Sequence, residues 1–221
     1  MIQMITLSLL LIPSLPLFTL EVVQSLAEPS SNILSLDITA DNSMIVMGGN
    51  DKIVFVYSNT GTQFISTDNL TGFGSDLWAV DVTADGQWLL AVEFDGVNRI
   101  YQFDALSSKF QLFQIIDTGL HSVAGAMTDD HQWLVLTQTT GFFYIYTFNG
   151  TMFVLKESHP SPVFISPHLF ITNDHIYIAF LIHLENAYVY KYDGTNYTLY
   201  ANISDTYKLD AWNYVHITED H

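Results

Sequence analysis

Residues 77–110 read LWAVDVTADGQWLLAVEFDGVNRIYQFDALSSKF, and their landmarks recur along the chain at a nearly constant distance. A Thr-x-Asp sequence occurs five times, with successive threonines 44, 45, 44 and 46 residues apart. These threonines are Thr39, Thr83, Thr128, Thr172 and Thr218. A tyrosine follows each of the first four after 18 residues, at Tyr57, Tyr101, Tyr146 and Tyr190. A period of this size is typical of repeat architectures.

Each repeat unit has the pattern of four short strands separated by turns. In the first unit the apolar runs are ILSLDIT, MIVMGG, KIVFVYS and TQFIS, and Asp, Asn or Gly stands between them. The third run is apolar at odd and even positions alike, which predicts that neighbouring sheets cover both of its faces. Four antiparallel strands in a unit of about 45 residues predict the blade of a β-propeller.

The repeat plan resembles that of WD40-like and related secreted propeller repeats, from about Ile33 to the C-terminus. Val-Tyr or Ile-Tyr replaces the Trp-Asp dipeptide of WD40 repeats at the corresponding strand ends. The resemblance implies an all-β, propeller-like fold and carries no activity with it. We expect complete blades at about residues 33–67, 77–116, 120–157 and 163–201, and the start of a fifth at 207–221. An incomplete fifth repeat predicts either a fragment of a larger propeller or strands supplied by a second chain.

The aspartate of each Thr-x-Asp sequence is expected to accept backbone N–H groups in an Asx-type turn. These aspartates are Asp41, Asp85, Asp130, Asp174 and Asp220. Calcium binding or catalysis is the alternative for these aspartates. Asp51 and Asp95 occupy equivalent second turns, where the alternating acids of a calcium loop are missing. His131, His175 and His221 follow three of the aspartates. Packed sheets lie about 10 Å apart, too far for a shared zinc ion, so we interpret these histidines as turn residues.

The N-terminus has the composition of a targeting segment. Residues 2–20 carry no charge, and Ser25-Leu26-Ala27 matches the small-x-small pattern that precedes a cleavage site. We therefore predict a signal peptide at 1–27, a linker at 28–32 and a propeller segment at 33–221. An uncleaved membrane anchor is the alternative, because about 17 to 25 apolar residues can span a bilayer.

Glycosylation acceptor sequences also favour an extracellular or cell-surface location. The Asn-x-Ser/Thr pattern occurs at Asn69, Asn149, Asn196 and Asn202. All four are expected near the outer rim of the propeller, with Asn69 in the connection after the first blade. The chain has no cysteine, so packing without disulfides must stabilise it.

The charge balance argues against nucleic acid as a partner. Only 6 Lys and Arg residues stand against 23 Asp and Glu residues, and the net charge is −17. A surface of this kind repels phosphate backbones. Protein partners, further copies of the chain and N-linked glycans are compatible with it.

No catalytic, metal-binding or cofactor-binding pattern stands out in the sequence. Residues 72–76, GFGSD, are not a G-x-S-x-G nucleophile elbow. Glu93 interrupts an apolar run, and we expect it to line a solvated channel. The first functional hypothesis is a non-enzymatic scaffold that is able to self-assemble through open blade edges. The alternatives are an N-terminal fragment of a larger propeller enzyme that acts on glycans, and a carbohydrate-binding propeller.

Overall fold

A computed structural model describes residues 24–26, 28–160, 165–182 and 186–204, which form sixteen β-strands in four antiparallel sheets. Each sheet contains four strands in sequential order, so the prediction of four four-stranded blades in an all-β fold is confirmed. Most of the predicted signal peptide and the start of the fifth repeat lie outside the described residues.

The strands, numbered in chain order, divide into four blades. Blade 1 comprises β1 (Ile33–Ile38), β2 (Met44–Gly49), β3 (Val54–Asn59) and β4 (Phe64–Leu70). Blade 2 comprises β5 (Leu77–Val82), β6 (Trp88–Glu93), β7 (Val97–Asp104) and β8 (Lys109–Asp117). Blade 3 comprises β9 (Ser122–Met127), β10 (Trp133–Gln138), β11 (Phe142–Phe148) and β12 (Phe153–Pro160). Blade 4 comprises β13 (Ile165–Ile171), β14 (Tyr177–Ile182), β15 (Asn186–Tyr192) and β16 (Tyr197–Ser204).

The repeat tyrosines lie in the third strands and are buried. Tyr57, Tyr101, Tyr146 and Tyr190 are between 2% and 8% exposed. In every blade the pairing with the fourth strand shifts by one residue beside this tyrosine. A bulge of this kind bends the strand and increases its twist. The tyrosine therefore lies beside the point where the fourth, outer strand of each blade bends.

Successive blades pack face to face, with their first strands next to one another. The first strands β1, β5, β9 and β13 contact each other in that order. Two glycines allow the close approach. A Cβ atom on Gly48 would lie 2.8 Å from Val80 of blade 2, and one on Gly125 would lie 2.7 Å from Val92. Because the first strands lie side by side, their side chains form the inter-blade junctions described below.

Candidate functional site

The four described Thr-x-Asp turns share one hydrogen-bond pattern, which the second repeat illustrates. The Thr83 hydroxyl donates to Asp85 Oδ1 at 2.7 Å and accepts the Trp88 N–H at 3.0 Å. The same carboxylate oxygen accepts the Gln87 N–H at 3.0 Å. Equivalent bonds are made by Asp41, Asp130 and Asp174. These carboxylates hold the first hairpin of their blades, whereas Asp220 lies outside the described residues.

The residue after each of these aspartates has left-handed backbone geometry, with φ between 50° and 69°. The four residues are Asn42, Gly86, His131 and His175. The ring of His131 stacks on Trp88 of the preceding blade, with centroids 5.1 Å apart. His175 stacks on Trp133 in the same way at 4.7 Å. Both histidines therefore lie in turns and pack against the neighbouring blade.

All four sequon asparagines are exposed, and they occupy two kinds of position. Asn149 and Asn196 lie in the turns between third and fourth strands, where Asn149 Oδ1 accepts the Thr151 N–H at 3.0 Å. Asn69 and Asn202 lie on the outer strands β4 and β16. The sequence placed Asn69 in the connection after blade 1. It lies on β4 instead, because that strand is longer than predicted.

Glu93 is buried in an ion pair, so the prediction that it lines a solvated channel is wrong. Its side chain is 0% exposed, and Oε1 lies 2.8 Å from Arg99 Nε. Oε2 accepts the N–H groups of Gly74 at 2.6 Å and Ser75 at 3.4 Å. Burial raises the pKa of Glu93, whereas the Gly74 hydrogen bond and the Arg99 charge act to lower it. The carboxylate fixes the connection between blades 1 and 2.

The last residue of the second strand has the same role in blade 3. Gln138 is fully buried, its Nε2 donates to Thr118 O at 3.0 Å, and its Oε1 accepts the Tyr144 hydroxyl at 3.0 Å. In blade 1 the position is Gly49, where a Cβ atom would lie 1.9 Å from Asn32 O. This position therefore contacts the chain segment that enters each of these blades.

Two further carboxylates join the first strands of adjacent blades. Asp37 Oδ2 accepts the Val82 N–H at 2.8 Å, and Asp81 Oδ2 accepts the Met127 N–H at 2.8 Å. Burial raises the pKa of Asp37 and raises that of Asp81 well above its ordinary value, and the negative charge of Asp37 adds to the effect at Asp81. Sequence reasoning missed both aspartates. The sequence feature that distinguishes them is that each lies two residues before a threonine of the repeat.

The charge of Asp81 should destabilise the fold as the pH rises. The folded-state pKa of Asp81 is raised above the ordinary aspartate pKa of about 3.9. The free energy of unfolding is therefore highest below about pH 3.9 and falls as the pH rises through the folded-state pKa. Asp81→Asn keeps an oxygen that can accept the Met127 N–H and removes the charge. We expect the variant to be more stable than the parent at neutral pH, with the difference vanishing at acidic pH in urea titrations. The control is Asp117→Asn, which removes an exposed charge, and an equal gain in both variants would contradict the prediction.

The face of blade 1 that points away from blade 2 exposes a row of apolar side chains. Leu34, Leu36 and Ile38 on β1 are 44%, 64% and 42% exposed. Val80 and Val82, which are equivalent to Leu36 and Ile38, are only 4% and 5% exposed. The Ile38 N–H donates to the side chain of the preceding residue, whereas the Val82 N–H donates to a carboxylate of the previous blade. Blade 1 thus leaves open a surface that blade 2 buries.

A cavity of about 230 Å³ lies between blades 1 and 2, with Met44, Asp68 and Phe110 in its lining.

Among the described residues, no group of three or more His, Cys, Asp or Glu side chains is placed to hold a metal ion. The described part of the chain also has no helix of the length and apolarity needed to cross a membrane.

No protein-family model and no curated protein matches the chain. Among solved structures, it is similar to a crystal structure of a protein from Lactobacillus plantarum that was a structural genomics target, with a TM-score of 0.66 and 14% sequence identity. The similarity covers 81% of this chain and 57% of that chain, which has a six-bladed propeller-like fold. At this identity the comparison establishes the propeller-like fold alone.

Proposed function

We propose that the protein is a secreted or cell-surface, N-glycosylated β-propeller that acts as a non-enzymatic interaction scaffold. The observation that carries this proposal is the open face of blade 1, which consists of Leu34, Leu36 and Ile38 on β1. In blade 2 the equivalent surface is buried against the preceding sheet. The open face is therefore suited to a further β-sheet of a protein partner or of a second copy.

The inner carboxylates favour the scaffold over a glycan-acting enzyme. Asp37 and Asp81 each accept a backbone N–H of the next blade. Asp129, which follows β9, accepts the Ala84 N–H at 2.7 Å through Oδ1 and the Asn173 side-chain amide through Oδ2. These acids therefore hold blades together, which supports a structural role for them.

The exposure of the four sequon asparagines supports glycan attachment. Asn69 and Asn202 lie on outer strands, and Asn149 and Asn196 lie in exposed turns, so a bulky glycan has space at each position. Secretion would bring these side chains to the glycosylation machinery. A fall in intact mass after enzymatic deglycosylation of the secreted protein tests this part of the proposal.

The interaction surface is tested by placing a charge at its centre. We expect the parent protein to associate in a concentration-dependent manner, and we expect Leu36→Asp to weaken that association at least tenfold, because an unpaired charge must be desolvated at the interface. Sedimentation velocity over a range of concentrations measures the effect. The control is Leu106→Asp, which adds the same charge at a turn residue that is 99% exposed. A parent protein that stays monomeric throughout would contradict self-association, and equal behaviour of the two variants would contradict this surface.

A further inference from the structure

The first residue of the second strand lies at the junction with the next blade, and in two of the blades it is a tryptophan. In all four blades its N–H donates to the hydroxyl of the repeat threonine five positions earlier, at 3.0 to 3.1 Å. This shared bond makes four residues equivalent, namely Met44, Trp88, Trp133 and Tyr177. Blade 1 therefore has a methionine where blades 2 and 3 have an indole ring.

The ring of Trp88 fills the junction between blades 2 and 3. Phe113 of its own outer strand lies 4.8 Å away between ring centroids. Phe148 and Phe153 of blade 3 lie at 5.7 and 6.2 Å. The stacked ring of His131 completes the enclosure at 5.1 Å. Two blades thus surround this indole with aromatic side chains.

The junction between blades 3 and 4 repeats the enclosure around Trp133. Tyr192 and Tyr197 of blade 4 lie 5.4 and 6.2 Å from its ring. Lys156 of its own outer strand places Nζ 5.2 Å from the ring centroid, and His175 stacks on the ring at 4.7 Å. An indole ring therefore fills this junction as well.

The junction between blades 1 and 2 keeps part of the enclosure but has no such ring. Phe103 and Phe110 pair with each other in blade 2 as Phe148 and Phe153 do in blade 3, and their rings meet edge-on at 5.3 Å. Smaller residues replace the tryptophan, the outer-strand residue that contacts it and the stacked histidine, as the strand registers and the turn geometry show. They are Met44, Thr67 and Gly86. The cavity of about 230 Å³ lies at this junction, with Met44 and Thr67 in its lining.

The cavity combines an apolar interior with a polar opening. Its buried lining includes Met44, Val56 and Phe110, which are 9%, 2% and 5% exposed. Thr67 and Ser108 also line it, and both are exposed. An apolar cavity of about 150 Å³ is large enough to bind benzene. The larger cavity between blades 1 and 2 therefore has room for a bicyclic ring.

We propose that this cavity binds a planar aromatic molecule of the size of indole. The bound ring would occupy the position that the Trp88 and Trp133 rings fill at the next two junctions, with Phe103 and Phe110 as aromatic neighbours. The proposal rests on the difference between the three junctions and does not depend on the proposed function.

The polar groups beside the cavity favour a free molecule over an aromatic side chain of a protein partner. Lys109 Nζ donates to Asp68 Oδ1 at 2.8 Å and to Thr67 O at 2.9 Å. Asp68 Oδ2 accepts the Phe110 N–H at 3.3 Å. Because these groups are engaged within the protein, they offer a peptide main chain little to bind. Ring packing in the apolar interior requires no such partners.

Methyl NMR of the full chain, labelled with carbon-13 at its methionine methyl groups, tests the proposal with indole as the probe. We expect the Met44 methyl signal to shift during the titration, because the ring current of a bound indole acts on it. The signal of Met152, a turn residue that is 46% exposed, should stay in place. An unshifted Met44 signal up to the solubility limit of indole, or an equal shift of Met152, overturns the proposal.

Filling the cavity should prevent binding. Met44→Trp supplies the ring found in blades 2 and 3, and we expect it to weaken indole binding about tenfold or more in isothermal titration calorimetry. Thr67→Phe narrows the same cavity from an exposed position and should also weaken binding, which gives a second variant if the first does not fold. The control Met152→Trp makes the same substitution in a turn of blade 3 and should bind indole like the parent. Parental affinity in every folded cavity variant, or an equal loss in the control, overturns the site.

Two further probes test the class of ligand. Cyclohexanol has a ring that is not planar, and N-acetyltryptophanamide carries the indole on peptide-like groups. We expect each to bind more weakly than indole. Cyclohexanol binding as tight as that of indole would overturn the assignment to an aromatic ring. Equally tight binding of N-acetyltryptophanamide would overturn the assignment to a free molecule.

Discussion

Replacing Trp88 with alanine is expected to lower the free energy of unfolding by about 3–5 kcal/mol. The side chain is 4% exposed and lies where blade 2 meets blade 3. Its ring meets Phe113 edge-on at 4.8 Å within its own blade and stacks on His131 of the next blade at 5.1 Å. Alanine would leave a cavity bounded by two sheets, and sheets joined at their first strands cannot easily close it.

Urea unfolding followed by far-ultraviolet circular dichroism measures the effect without relying on tryptophan fluorescence. Trp88→Phe is the matched variant, because phenylalanine keeps an aromatic ring on His131 and should lose less stability than alanine. Leu106→Ala, at a 99% exposed position, should change the free energy by less than about 0.5 kcal/mol. A loss below about 1 kcal/mol in Trp88→Ala would show that the junction repacks and that Trp88 does not join the two blades.

The repeat and its strands could be predicted from the sequence because the interactions that define them are local. The Thr83 hydroxyl, Asp85 and the Trp88 N–H all lie within six residues, so the geometry requires the same residue types in every copy. The repeat tyrosine is similarly constrained, since it is buried beside the bulge of the outer strand. The recurring spacing of Thr and Asp therefore reflects contacts inside one blade, whereas the repeat tyrosine also packs against the preceding blade, as Tyr190 does on Phe143 at 4.8 Å.

The inter-blade junctions could not be predicted in the same way. Asp37 binds the N–H of Val82, and Gln24 binds the N–H and carbonyl of Phe64. The partner is a backbone group in both cases. Almost any residue can supply such a group, so the partner position leaves no pattern in the sequence. Where the outer strands of adjacent blades meet, the linking side chain is a Gln, an Asp or a Glu, namely Gln114, Asp68 and Glu157, because each offers an oxygen acceptor. These contacts are visible only when the register of the repeat is combined with the fold.

The burial of Glu93 could not be predicted from the sequence for a related reason. Its place in an apolar run was consistent with a channel lining, and the periodicity of the strands says nothing about the path of the connection at 72–76. That connection folds over the end of β6 and brings Gly74 and Ser75 to the carboxylate. The function of this residue depends on the path of a loop, which a strand pattern does not encode.

Glu93→Ala is expected to lower the free energy of unfolding by about 3–5 kcal/mol, because removal of one partner leaves the other charge buried. The Arg99 side chain is only 17% exposed, and in the variant it would keep its hydrogen bond to Gly72 O but lose its counter-ion. The Gly74 N–H would lose its acceptor at the same time. We expect the connection between blades 1 and 2 to loosen, with faster hydrogen exchange at Gly74 than in the parent protein.

Two matched variants separate the charge of Glu93 from its role as a hydrogen-bond acceptor. Glu93→Gln keeps an oxygen for the Gly74 N–H and loses the charge, so it should be destabilised less than Glu93→Ala and should retain protection at Gly74. The double variant Glu93→Ala with Arg99→Leu removes both charges and should recover part of the lost stability, because no unpaired charge remains buried. Urea titrations of the parent and all variants provide the comparison. A double variant that is less stable than the sum of the two single losses would contradict the ion pair as the source of the effect.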